Sequence, residues 1–413
     1  MRFRFVHTAD LHLDSPLAAR ALRDPALAER IGAATRTALE RIVALCLETE
    51  ADALLIAGDL YDGALRSMKT AAFLTRAFER LGEAGIRVFL IRGNHDAASA
   101  ITKRLSLPET VHVFGGRGGT VSLAEQGVAI HGVSFRQPHA PESLLPKLPP
   151  PTPGLFNIGM LHTSLGGAPG HDPYAPCSVA ELVAHGYDYW ALGHIHARTV
   201  HHEAPWVVMP GMPQGRDIGE AGEKSVTLVT VEDGVAALEE HVVSPVVFRR
   251  QSHPVVAEDW AGLRTELRAA LEAERAAEAE TVLRLRLTGA TPLAFRLRRD
   301  RALLEAELAE WAGETPGLAI DRLELDIAPP TAPAEGDPLS EVAGLMEEIA
   351  ADPGFRAEAA AFLARMVEDL PPDLRDRYGE DADGQAAALD RLLAAGQADV
   401  LAALAGLPSE GPD

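Results

Sequence analysis

Over the first 245 residues of this chain, short apolar runs alternate with amphipathic stretches, and no other feature of the sequence restricts the fold as strongly. Uninterrupted apolar runs of this kind read as strands buried on both faces, whereas 3.6-residue periodicity reads as helices laid against them. The runs fall at Phe3 to Thr8, Ala53 to Ala57, Arg87 to Ile91, Val128 to Val133, Phe156 to Leu161, Tyr187 to Leu192, Trp206 to Met209 and Val226 to Val231. Helices are expected near residues 26–49, 67–84 and 178–185, which makes 1–245 a layered α/β domain. The Pro-rich segment Pro146 to Pro153 is expected to be an exposed connection, because proline lacks the amide that helices and central strands need.

At 413 residues the chain exceeds what one core accommodates. A second unit is expected at 246–330 in the order strand, helix (257–279), strand (Val282 to Leu287), helix (300–312), strand (Leu318 to Ile327). After the linker Pro329-Pro330-Thr331-Ala332-Pro333, residues 331–413 read as an acidic helical tail, with helices near 338–350, 355–369 and 384–404. No window is apolar enough to span a membrane, and the start carries no signal-peptide pattern, so a cytoplasmic location is expected. Two cysteines, Cys46 and Cys177, cannot build a disulfide framework and read as packing thiols.

Five of the apolar runs end in residues that carry chemistry: Asp10-Leu11-His12, Gly58-Asp59-Leu60-Tyr61-Asp62, Gly93-Asn94-His95-Asp96, His162, and Gly193-His194-Ile195-His196. Ligands of open α/β folds collect outside the carboxyl ends of strands, so five such endings can meet in one cleft. Alternate residues of an extended segment share a face, which would aim Asp10 with His12, and His194 with His196, at one centre. Mixed imidazole, carboxylate and amide donors suit borderline divalent cations. Two such ions about 3.5–4 Å apart are the means by which many enzymes hydrolyse phosphodiesters. One Asp-x-His triplet is a weak signal, but five ordered motifs are a strong one.

These motifs resemble the signature of the calcineurin-like metallophosphoesterase superfamily. Phe5 to Pro16, Gly170 to Cys177 and Asp188 to His196 further resemble the bacterial DNA repair exonucleases of the SbcD and YhaO kind, and the last two favour the YhaO-like group. The resemblance is strong over 1–245, weak over 246–330 as a capping domain, and positional in the tail. It implies a four-layer α/β/β/α sandwich of two mixed sheets with the metal cleft at a sheet edge, and two divalent metal ions, manganese by family habit. Asp10, His12, Asp59 and His196 would hold one ion, and the bridging Asp59 with Asn94, His162 and His194 the other. His95 would serve as catalytic residue at the scissile phosphate, with Asp96 orienting its ring. The implied activity is a DNA exonuclease or phosphodiesterase in DNA repair; a nucleotide or small-molecule phosphodiesterase or phosphatase shares the same motifs. Implied partners are DNA, a coiled-coil ATPase of the SMC/ABC type engaging the tail, and a second copy in a homodimer. Related recombination nucleases often carry His where Asp62 stands, which marks a branch and leaves the role of Asp62 open.

A formal charge of −22 argues against DNA binding by bulk attraction, since non-specific affinity comes from phosphate neutralisation by Lys and Arg. The tail carries −13 of it, with 18 acids against 5 arginines. Arg249, Arg250, Arg284, Arg286, Arg296, Arg298 and Arg299 form the densest basic groups, read as solvated surface with DNA contact as the alternative. His7 is expected to be a buried, hydrogen-bonded histidine, and His112, His131, His185, His201, His202 and His241 are expected to be structural. His171 and Tyr174 suit either a cleft wall or a surface loop, and Asp14 either loop orientation or a turn cap. The tail helices carry apolar residues (Val342, Leu345, Met346, Ile349; Phe355, Phe362, Leu363, Met366) that must pack on the body or on another chain.

Overall fold

The computed structural model describes residues 1–15, 25–61, 68–98, 107–166, 174–274, 279–329, 338–370, 375, 378–379 and 381–405. Its residues divide into two units, one made of 1–250, 276–283 and 317–321, the other of 251–275, 284–316 and 322–413.

In the first unit the strands are β1 (Arg2–Thr8), β2 (Ala53–Ala57), β3 (Arg87–Ile91), β4 (Val111–Val113), β5 (Gly119–Leu123), β6 (Val128–Gly132), β7 (Phe156–His162), β8 (Tyr189–Gly193), β9 (Thr199–Glu203), β10 (Trp206–Met209), β11 (Ser225–Glu232) and β12 (Val235–Val242). Its helices are α1 (Pro25–Gly32), α2 (Ala34–Glu48), α3 (Met68–Glu83), α4 (Asn94–Ala98) and α5 (Val179–His185). The strands make two six-stranded sheets, ordered β12-β11-β1-β2-β3-β4 and β5-β6-β7-β8-β10-β9. Both are mixed. β1, β2, β3 and β4 run parallel, as do β6, β7, β8 and β10, and antiparallel strands flank each parallel core.

Side-chain parity assigns the layers, because successive residues of a strand face opposite sides. Phe5, Ala53, Leu55, Phe89 and Ile91 of the first sheet share a buried cluster with Ile130, Ile158, Met160, Tyr189, Ala191 and Val208 of the second, so these faces pack on each other. The alternate residues Val6, Leu54, Ile56, Val88 and Leu90 pack under Leu39, Ile42, Val43 and Cys46 of α2 and Leu74, Phe78 and Leu81 of α3. On the far side Leu161, Trp190, Leu192, Val207 and Met209 meet Leu182 of α5. The result is the expected α/β/β/α order. Its fourth layer is thin: α5, held by a Ser178–Glu181 capping box, shares that face with an irregular segment. Pro146 to Pro153 belongs to this segment and is only partly the exposed connection expected, since Leu148 within it and the adjoining Leu144 and Leu145 are buried against the sheet.

The single helix expected over 26–49 is two, meeting at Ala33. Unforeseen strands β4, β5, β9 and β12 are the four edges of the two sheets, where partly or mostly exposed residues erase the apolar signal.

In the remainder of the chain β13 (Val246–Pro254), β14 (Glu280–Ala290) and β15 (Leu318–Ala328) form a three-stranded sheet. The second unit's helices are α6 (Trp260–Ala273), α7 (Ala294–Arg299), α8 (Arg301–Glu314), α9 (Pro338–Ala351), α10 (Pro353–Glu368) and α11 (Ala382–Ala405). Leu263, Leu267 and Leu271 form the buried stripe of α6, and Leu304, Leu308 and Trp311 that of α8. α11 packs on α7, α9 and α10, with a small core of Leu363, Ala388 and Leu389. Among the described residues no helix is long and apolar enough to cross a membrane.

Candidate metal centre

Each site segment leaves a strand at its carboxyl end, and all five strands are central in their sheets: β1, β2 and β3 in the first, β7 and β8 in the second. The cleft therefore lies across strand ends between the sheets, which corrects the expected placement at a sheet edge.

The loops after β1 and β2 run side by side. Asp10, His12 and Leu13 donate their amides to the carbonyls of Gly58, Asp59 and Leu60 at 3.0, 3.1 and 3.0 Å. Within them Asp10, His12 and Asp59 hold φ of 53°, 40° and 52°, the left-handed region that costs an L residue about 1–2 kcal/mol. Asp10 and His12 thus reach one centre through left-handed turns, not through the extended backbone that sequence reasoning assumed. His194 also has positive φ, 107°, and its amide donates to both Asp10 carboxylate oxygens at 3.2 and 3.0 Å. Two glycines admit this crowding. A Cβ on Gly93 would stand 2.1 Å from Asp59 Oδ1, and one on Gly193 would stand 2.1 Å from the Ala57 carbonyl oxygen.

All seven expected ligands come together. Donor atoms of Asp10, His12 and His196 lie within 4.8 Å of one another, as do those of Asp10, Asp59 and His162. His12 and His196 face each other through Nε2 atoms 3.3 Å apart. His162 Nε2 lies 3.1 Å from Asn94 Oδ1 and 3.3 Å from Asp59 Oδ2, and the His194 ring stands edge-on to His162 at 5.2 Å between centroids.

The electrostatics of this cluster suit a cation. Asp10, Asp59 and His162 are almost wholly buried, and buried charge is costly unless paired or metal-bound. Burial pushes Asp10 above the usual carboxylate range against the pull of His162 and His196. Burial also opposes the charges of Asp59 and His162, but their mutual attraction holds Asp59 below its usual range and, with Asp10, lifts His162 to about 9. His12 is driven down to about 3 by burial, so it is a neutral imidazole with a lone pair to give. Its Nδ1 is buried with no hydrogen-bond partner among the described residues. His162 Nδ1 lies 2.9 Å from the Ala57 carbonyl, which can only accept, so Nδ1 carries hydrogen and Nε2 is the ligating atom. Four imidazoles, two carboxylates and an amide oxygen brought together in this way fit divalent cations.

His95 donates its amide to Asp59 Oδ1 at 3.0 Å, and its ring stands edge-on to that of His12 at 4.9 Å. Asp96 accepts from the amides of Leu60 and Tyr61 at 3.0 and 3.1 Å and of Gly93 at 3.0 Å. None of these bonds involves the His95 ring. They staple the loop after β2 to the loop after β3, a role not foreseen for Asp96. Burial and the charge of Asp59 lift the Asp96 carboxyl to about 7.

The centre opens into a cleft of about 620 Å³, whose walls include His95, Tyr174, His194, His196, Glu220 and Lys224. Tyr174 is a wall residue, its ring 5.3 Å from that of His194; His171 and Asp62 lie outside the described residues. His7 is buried between the Tyr189 hydroxyl and the Leu192 carbonyl, both at 3.0 Å, a structural role. Asp14 grips Arg36 through two bonds of 2.5 Å and accepts from Thr70, tying the first loop to α2 and α3. Sequence reasoning missed Arg216 and Glu220, in the loop that follows β10; Glu220 Oε1 lies 2.7 Å from His196 Nδ1. The available signal was a Gly-rich loop with Arg, Asp and Glu leaving a strand.

Residues 3–198 match the calcineurin-like phosphoesterase family, and residues 256–328 match the middle domain of the metallophosphoesterase YhaO. The chain is 36% identical to YhaO of Bacillus subtilis over 322 residues, covering 77% of this chain and 75% of that one. It belongs to the calcineurin-like metallophosphoesterases. A DNA double-strand break repair protein Mre11 of Methanocaldococcus jannaschii is 27% identical over 163 residues, 37% of this chain and 43% of its own. Among solved structures, a dimetal phosphatase from Danio rerio is similar over 59% of this chain and 98% of its own, at 11% identity and a TM-score of 0.37. As a calcineurin-like metallophosphoesterase the chain is a metal-dependent phosphoester hydrolase, and its candidate metal ligands are the clustered Asp10, His12, Asp59, His162 and His196 with Asn94 and His194 beside His162.

Proposed function

We propose that this metallophosphoesterase hydrolyses DNA phosphodiester bonds with two divalent cations, manganese by family habit. The observation that carries the reading is the convergence of seven candidate ligand residues from five strand ends on an open cleft with His95 at its wall. Asp10, His12, Asp59 and His196 would hold one cation, and Asp59, Asn94, His162 and His194 the other. Bound cations supply Lewis-acid polarisation of the phosphate and a nucleophile at neutral pH. His95, tethered to Asp59 through its amide and braced by the His12 ring, is the residue to protonate the departing sugar oxygen. The Mre11 likeness supports DNA as substrate and a place in repair.

A second reading, a nucleotide or small-molecule phosphodiesterase, is favoured by one observation. Arginines that would track a DNA backbone are engaged within the protein: Arg284 with Glu324, Arg286 with Asp326, and Arg296 and Arg299 with Asp300. The test compares wild type and His95→Ala, supplied with Mn²⁺, on end-labelled linear DNA and on an aryl phosphodiester. DNA shortening that falls by roughly 10²- to 10⁴-fold in the variant, with metal content unchanged, is expected. Cleavage of the small ester alone would overturn DNA as the substrate of the isolated chain.

The tail proposal is a docking site for a coiled-coil ATPase, and a homodimer is proposed for the nuclease body. Support for the former is the apolar surface that α9 and α10 leave in solvent: Leu345, Ile349, Phe362 and Met366 are each more than half exposed. Co-purification with such an ATPase that survives loss of residues 331–413 would refute the docking.

A further inference from the structure

We infer that Glu220, clamped by Arg216, is a positioning residue for the cation held by His196, an inference that rests on the dinuclear reading above. A metal-binding imidazole must show the cation a lone pair on one nitrogen, and its other nitrogen decides which one that is and how the ring is turned. His196 Nε2 points into the centre, 3.3 Å from His12 Nε2, so Nδ1 is the outer nitrogen. That nitrogen lies 2.7 Å from Glu220 Oε1. A carboxylate can only accept, and its 2.7 Å contact outweighs the 3.4 Å approach of Arg216 Nη2 to the same nitrogen, so the hydrogen resides on Nδ1 and the lone pair is left on Nε2, towards Asp10 and His12.

Glu220 is itself held rather than free. Arg216 donates to it three times, from its amide to Oε2 at 2.7 Å, from Nη2 to Oε1 at 2.9 Å, and from Nε to Oε2 at 3.3 Å. This fork fixes the carboxylate plane. Asp217 caps the short turn that carries Glu220 by accepting from the Gly219 amide at 2.6 Å. The loop after β10 therefore presents one oriented acceptor to one ligand. The contrast is with His12, whose Nδ1 has no partner among the described residues, and with His162, whose Nδ1 meets a neutral carbonyl. Of these three ligands only His196 has a carboxylate behind it, and a carboxylate raises the basicity of the imidazole it touches. Glu220 thus strengthens one metal position selectively and leaves the other to its own ligands.

The experiment titrates Mn²⁺ calorimetrically into metal-stripped wild type, Glu220→Ala, Glu220→Gln, His196→Ala and the Glu220→Ala/His196→Ala double variant, with melting curves of each before titration. The expected result is that Glu220→Ala weakens one of two Mn²⁺ sites by roughly 10- to 100-fold and leaves the second unchanged. Glu220→Gln, which keeps an acceptor of the same size but loses the charge, should fall between wild type and Glu220→Ala. In the His196→Ala background the Glu220 substitution should cost nothing further, because the residue acts through that ring. Wild-type affinity at both sites in Glu220→Ala, or an equal loss with and without His196, would overturn the inference. If Glu220→Ala fails to fold, Glu220→Gln is read in the same cycle against the same two outcomes. A wild type that takes up no Mn²⁺ would instead sink the dinuclear reading itself.

Discussion

The metal centre and the tail helices break the inside-outside rule in opposite directions. In the first unit, ionisable side chains are buried: Asp10 and His162 have no exposed surface and Asp59 is 2% exposed. In the second, large apolar side chains face water: Leu345 and Phe362 are each 58% exposed and Met366 52%. Each arrangement costs free energy as it stands, since buried charge wants a counter-charge and exposed apolar area wants cover. The backbone differs too. The centre stores left-handed residues at Asp10, His12, Asp59 and His194, whereas the tail is regular helix. Inversion with strain fits a site built around a small ion; inversion without strain is the feature behind the docking surface proposed for the tail.

The sharpest way to break the comparison is Asp59→Asn. It removes the charge that holds His162 and anchors the His95 amide, and it should abolish hydrolysis of an aryl phosphodiester and lower bound metal below two ions per chain. Near-normal turnover would remove Asp59 from the ligand set. Next in size is Gly93→Ala, whose added Cβ would collide with Asp59 and His162 Nε2. Denaturant titration should register a loss of about 1–3 kcal/mol, the usual range for overpacking, together with weakened metal uptake.

Cation binding should depend steeply on pH, with a definite sign. His162 lies at about 9 without a cation, so it is protonated at neutral pH and must lose that proton to become a ligand. Affinity at its position should fall about tenfold for each pH unit below 9, and the binding heat should scale with the buffer's ionisation enthalpy as protons are released. Affinity independent of pH between 6 and 8 would argue that His162 is not a ligand.

The smallest effect belongs to the tail. Phe362→Glu with Met366→Glu changes exposed positions, so stability should move by no more than about 0.5 kcal/mol per site and ester hydrolysis should be unchanged. Capture of a coiled-coil ATPase should be lost. A large drop in stability would show that these side chains are covered within the protein after all.

Much of this was legible in the residues. Strands β2, β3 and β8 announce themselves because parallel strands buried on both faces must be apolar throughout, and the ligands follow because metal chemistry restricts the residue types that can stand at their ends. The edge strands β4, β5, β9 and β12 were not legible, since partly solvated strands carry no comparable pattern. Nor were the roles of Asp96 and Glu220. Beyond the part expected of it beside the His95 ring, Asp96 joins two loops more than thirty residues apart in sequence. Glu220 is 24 residues from the histidine it touches.

What the sequence by itself determined is therefore the inner strands of the two large sheets and which residue types stand at their carboxyl ends, because both follow from local periodicity and donor chemistry. Only the tertiary structure decided the left-handed turns that aim Asp10 and His12, the carboxylate behind His196, the ion pairs that occupy the arginines, and the apolar face left bare on α9 and α10. Each of these depends on what a side chain meets across the fold, and contact between distant segments leaves no periodic trace along the chain.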